Sequence, residues 1–212
     1  MSSIAQVWPA YTRWRSKAFT WRRELPAARK VVLALGMAAL TGLSAQVRVP
    51  LVPVPMTGQT FAVLLSGVLL GGTFGALSQA IYVGLGAAGL AWFCGGAGGM
   101  AVMRGATAGY LVGFVVAAAL VGYVTDRSAA ARRFLPQFAL MSCGAGVILL
   151  FGFLNQVFLL HWSVFSALWH GVLKFVLLDV GKAAAAAAIA TALLPKMSEE
   201  GRADGAEATG DA

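Results

Sequence analysis

The chain has 212 residues, 59% of them hydrophobic and only 11% charged, with a mean hydropathy of +0.78 and a formal net charge of +8. That composition excludes an ordinary soluble globular domain. The basic excess does not indicate nucleic-acid binding, because seven of the 16 Lys and Arg (Arg13, Arg15, Lys17, Arg22, Arg23, Arg29 and Lys30) precede the first apolar run, where they set topology or touch anionic lipid headgroups.

Residues 1–30 mix these cations with Trp8, Trp14 and Trp21, which suits a cytoplasmic segment lying at the membrane interface. They lack the apolar core of a cleaved signal peptide. The first expected span, 31–47, places Ala34, Ala38 and Gly42 four residues apart, a small-residue stripe along which a second helix can pack closely. Val49 to Thr60, VPLVPVPMTGQT, then carries Pro50, Pro53 and Pro55. Prolines at that density forbid a regular helix, and irregular backbone near a membrane survives only where protein or a wet cavity satisfies it. Gln59 can offer its amide to such a cavity.

Spans are expected at 59–71 and 74–93, joined through Gly71-Gly72 as a tight helical hairpin. Cys94 to Gly105, CGGAGGMAVMRG, is a glycine-rich loop without the GK[ST] of a phosphate loop. Trp92 and Phe93 before it and Tyr110 after it could wall a small ring. The two cysteines, Cys94 and Cys143, have no metal or redox spacing. A fourth span covers 107–124, with Gly109, Gly113 and Ala117 as a second small-residue stripe, and a fifth covers 136–160. His161 and His170 read as interfacial, without the partners a metal site needs.

The sixth span, 172–194, carries Asp179 and Lys182 one turn apart on one face. An ionised side chain at such depth costs on the order of 2.5–3.5 kcal/mol, which an opposite charge partly offsets. The pair is therefore either a structural ion pair or a polar-ligand site. Ala183 to Ala188 favours helix. Residues 196–212, with Glu199, Glu200, Asp204, Glu207 and Asp211 among Gly and Ala, read as a disordered acidic tail. With a cytoplasmic amino terminus, 12 basic residues fall on inner segments and 3 (Arg48, Arg104, Lys174) on outer ones. This predicts an even number of spans and both termini in the cytoplasm.

Three segments resemble the BioY family, the substrate-binding S components of energy-coupling factor (ECF) transporters for biotin. They are VPVPMTGQTFAVLLSGVLLGG from Val52, GALSQAIYVGLGAAGLAWFCGGAGG from Gly75 with GATAGYLVGF from Gly105, and LLDVGKA from Leu177. Ala91 and Ala106 stand where the family usually has Pro, Ala97 where some members have Asn or Ser, and Leu178 where Gly is usual.

The resemblance implies an all-α S component: six transmembrane helices over 31–195 with irregular Pro-rich and Gly-rich outer loops, enclosing biotin near the outer face. It implies uptake across the plasma membrane, with no catalysis and no cofactor or metal. The expected substrate set is Asp179, Lys182, Gln59, Tyr110, Trp92, Phe93 and Tyr82. Ala34 and Ala38 match the AxxxA pattern that the family packs on its transmembrane coupling subunit. Partners are that subunit and ATPase subunits, or further copies of this chain, with lipid around them. The competing reading is a membrane scaffold or assembly protein whose ion pair is structural.

Overall fold

The computed structural model describes residues 2–195, with side chains described from Tyr11 onward. Helix α1 (Ser2–Glu24) is followed directly by α2 (Ala27–Gln46). Pro26, with φ −55° and ψ 147°, stands at the N-cap of α2 and presets the chain for the helix. The helix consequently begins four residues ahead of the expected span and takes in Arg29 and Lys30.

The proline-rich stretch folds as a short antiparallel ladder, β1 (Arg48–Val49) against β2 (Met56–Thr57), with Arg48 opposite Thr57. Helix α3 (Gln59–Ala87) is not straight: Gly71 has φ 81° and ψ 172°, a backbone that favours glycine. A Cβ on Gly75 would lie 2.7 Å from Gly67 Cα, and Gln79 Nε2 donates to Ser66 Oγ at 3.0 Å. In a continuous helix residues 66 and 79 would be about 20 Å apart. The element is therefore a hairpin of two antiparallel arms, 59–70 and 72–87. The second arm stops short of the expected residue 93, because Gly89 takes φ +117° and the Leu90 N–H bonds the Leu85 carbonyl at 3.0 Å, the helix-ending arrangement glycine permits.

The glycine-rich loop holds a 3₁₀ turn (Cys94–Gly96) and the one-turn helix α4 (Met100–Met103). α5 (Ala108–Arg127) returns to the Gly71 end of the bundle. Its Gly113 packs on α6 (Phe134–Leu154), where a Cβ would sit 2.9 Å from Ile148 Cα. Beyond α6 a π turn (Asn155–Leu159), the short α7 (Val164–Leu168) and a second π turn (Trp169–Leu173) lead into α8 (Lys174–Leu193). The end of α8 meets α1, whose Arg15 donates to the Thr191 carbonyl at 2.9 Å and whose Tyr11 hydroxyl bonds the Ala192 carbonyl. By length and composition Ala27–Gln46, Ala108–Arg127 and Phe134–Leu159 can each cross a membrane, and Gln59–Ala87 is as apolar but divides its 29 residues between the two arms.

Ala34 and Ala38 have no exposed surface. The stripe expected to face a partner lies inside the bundle, together with Thr41, Gly42 and Ala45. Gln79, on the second arm of α3, crosses this seam to donate to Thr41 Oγ1 at 3.2 Å. Small side chains thus serve the approach of α2 to α3 rather than an external seam. Ala38→Leu is accordingly expected to lower thermal stability by about 1–3 kcal/mol, the usual cost of overpacking, while Ala39→Leu on the exposed face leaves it unchanged. Equal melting of the two variants in detergent would reverse the inward placement.

Candidate functional site

A cavity of about 230 Å³ opens at the end of the bundle away from the Gly71 turn. The proline-rich ladder, the glycine-rich loop and the helix ends that flank them contribute to it. Asp179 and Lys182 enter from α8, with Lys182 Nζ 2.9 Å from Asp179 Oδ1 and side-chain exposures of 20% for the lysine and 5% for the aspartate. The i, i+3 spacing puts both on one face. Buried charge of this kind costs several kcal/mol of desolvation that a single mutual contact does not necessarily recover, and the carboxylate and ammonium keep further acceptor and donor capacity turned to the cavity.

Facing them is an amide–phenol pair. Gln59 Nε2 donates to the Tyr82 hydroxyl at 2.8 Å, and Thr57 Oγ1 donates to Gln59 Oε1 at 2.9 Å. The hairpin reversal at Gly71 makes this possible, bringing residues 59 and 82 side by side. Tyr82 is held edge-on to Phe93, ring centroids 5.3 Å apart, and both line the cavity. Phe93 reaches its place because Gly86 leaves no Cβ in its way.

Trp92 is not among the lining residues. Its indole N–H donates to the Tyr82 carbonyl at 2.9 Å, its ring lies 5.2 Å from that of Tyr82, and it fills the gap left by Gly42 of α2. It backs the wall rather than forming it.

Tyr110 lines the opposite side. Its hydroxyl donates to the Gly171 carbonyl at 2.7 Å and accepts from Gln156 Nε2 at 3.1 Å. Asn155 Nδ2 reaches the Gly105 carbonyl at 3.2 Å. The two π turns between α6 and α8 are thus pinned to α5 and the turn before it by Tyr110, which was expected in the site, and by Asn155 and Gln156, which were not. Thr57, Phe114, Ile148 and Phe175, none of them singled out in the sequence, also line the cavity, as does Cys94 at the start of the glycine-rich loop. Arg48 lies against Gly95 in the adjoining loop, next in sequence to the lining residue Cys94.

The arrangement suits a small, largely apolar, ring-bearing ligand with a polar end. Aromatic and aliphatic walls surround one ion pair and one amide, each fixed by neighbours.

The model of the BioY family matches residues 15–199. A protein of Methanothermobacter thermautotrophicus named "Probable biotin transporter BioY" is 42% identical over 142 residues, covering 62% of this chain and 88% of the relative. The "Biotin transporter BioY" of Thermotoga maritima is 36% identical over 165 residues, covering 78% and 95%. In fold, the chain is similar to a solved S-component for biotin from an ECF-type ABC transporter, with a TM-score of 0.71, 20% identity and coverage of 80% of this chain and 94% of the other.

Proposed function

Since the chain belongs to the BioY family, we propose that it binds biotin in the cavity between α3, α5 and α8 and mediates its uptake. It is a multi-pass membrane transport component of S-component fold, not an enzyme. The observation that carries the ligand assignment is the Asp179–Lys182 pair opening into an apolar, aromatic cavity. A ureido ring presents two N–H donors to a carboxylate and a carbonyl acceptor to an ammonium. The thiophane ring and valeryl chain match walls such as Phe93, Phe114 and Phe175. Gln59, Tyr82 and Tyr110 complete the substrate set, with Trp92 acting through Tyr82. Arg48, which packs on the glycine-rich loop, is proposed to serve the carboxylate of the ligand.

The purified chain is expected to bind radiolabelled biotin saturably, and biotin methyl ester more weakly. Arg48→Gln should narrow the gap between the two. Absence of saturable biotin binding by folded protein would end the proposal.

Six membrane crossings are proposed. They are supported by α2, the two arms of α3, α5, α6 and α8, and by side chains such as Leu43, Leu135 and Leu177 that face outward with more than two-thirds of their surface exposed. The plasma membrane is the proposed location, with both termini in the cytoplasm. The basic asymmetry supports this orientation, as does the meeting of α1 with the end of α8 on the side opposite the cavity. A reporter fused after Pro195 should be active only in its cytoplasmic form. The proposed partners are a transmembrane coupling subunit and ATPase subunits, since the sequence carries no nucleotide-binding loop of its own. The acidic tail expected at 196–212 lies outside the described residues.

A further inference from the structure

At the end of the bundle away from the cavity, a groove of about 950 Å³ opens between the end of α1, the start of α2, the Gly71 turn and the last turns of α5. Its rim is cationic. Arg22, Arg23, Lys30 and Arg127 line it, with Asp126 as the acid among the lining residues. Arg22 pairs with Asp126 and donates to the Val68 carbonyl at 2.8 Å, so its charge is matched.

The other three hold contacts that leave their charge uncancelled. The Arg23 guanidinium lies 5.8 Å from the centre of the Phe19 ring, and that of Arg127 lies 3.9 Å from the Tyr123 ring. Lys30 Nζ donates to the Arg23 carbonyl at 2.8 Å and sits 5.6 Å from the Phe74 ring. Among the described residues none of the three pairs with a carboxylate.

Past this rim the groove turns apolar along Phe74, Leu120 and Val116. From Arg127 to Val116 the wall follows α5 for roughly 16 Å at the helical rise. Val116 is 39% exposed, so the wall is open to its surroundings. Trp14 and Trp21 on α1 are more than half exposed, and such rings settle at headgroup depth.

Three unmatched cations above an outward-facing apolar wall describe an amphipathic ligand with an anionic head. We propose that this groove is a binding site for an anionic phospholipid of the leaflet on the side of the chain termini. Its phosphate sits among Arg23, Lys30 and Arg127, and an acyl chain lies along Leu120 and Val116. Basic pockets between helices at this depth recognise such headgroups. The inference rests on the membrane-spanning reading and is independent of what the cavity binds. The acidic residues beyond Pro195 could match the charge, but the Gly and Ala around them offer nothing to the apolar wall.

Native mass spectrometry of the full chain, given equal phosphatidylglycerol and phosphatidylcholine, tests the site. A form ending at Pro195 is measured alongside, and biotin binding of each sample reports folding and the cavity separately. Phosphatidylglycerol should be retained preferentially in both forms. The preference should fall about fivefold for each of Arg23→Gln, Lys30→Gln and Arg127→Gln, measured singly so that one ill-folded variant does not decide the outcome. Equal retention of the two lipids would overturn the proposal, as would an unchanged preference in the variants. A preference that emerges only in the shortened form would also overturn it, by making the acidic tail the occupant.

Discussion

Asp179→Asn is expected to weaken biotin binding by roughly 10-fold to 150-fold while leaving the protein folded in detergent. The carboxylate is almost fully buried, lines the cavity and is held 2.9 Å from Lys182 Nζ. Replacing it by an amide keeps the shape but removes the charged acceptor for a ureido N–H, and hydrogen bonds to charged groups contribute about 1.5–3 kcal/mol. Lys182→Met removes the complementary donor and should act in the same direction. If the pair were structural only, each variant would melt earlier, because breaking a buried pair strands the remaining charge, yet the folded fraction would bind as before. Affinity and melting temperature must therefore be measured on the same samples. Unchanged affinity in both variants would remove the pair from the site.

The second large effect is expected at Gly122→Val, far from the cavity. A Cβ at position 122 would lie 2.5 Å from the Gly67 carbonyl oxygen, the Gly71 carbonyl carbon and the Gly72 nitrogen. All three are backbone atoms of α3, so relief requires α5 to move away from the hairpin rather than one side chain to rotate. The cost should reach or exceed the top of the usual overpacking range of about 1–3 kcal/mol, and little monodisperse protein should be recovered. Gly146→Ala on α6, where a Cβ meets nothing within 4 Å, serves as the control. Normal recovery and melting of Gly122→Val would show that this contact is looser than described.

Features with a one-dimensional signature were legible in the sequence. The apolar runs located the long helices from α2 onward but not α1, Gly71-Gly72 marked the reversal, and two charges one turn apart announced themselves against an apolar background. Direction was harder to read. A stripe of Ala34, Ala38 and Gly42 has the same period whether it turns toward its own bundle or away from it, and only the packing of α3 decides. Trp92 gave the same ambiguity, since an aromatic residue at a loop shoulder does not say which side of the wall it occupies. Asn155 and Gln156 could have been found. An adjacent pair of amides within an apolar run carries a burial cost of the same kind as the one that drew notice to Asp179. The pairing of Arg48 with Thr57 had no local signal, because two-residue strands are set by what they meet across the loop.

The cavity wall draws on residues from Val54 to Lys182, so the site is complete only when α3, α5, α6 and α8 have come together. A vitamin held there acts as a clasp between segments distant in sequence, and the unfolded chain offers it no equivalent. By mass action, ligand at a thousand times its dissociation constant would add about 4.1 kcal/mol to the folded state, a large share of what holds most proteins together. The abundance of this protein in the membrane would then rise and fall with the supply of the molecule it captures.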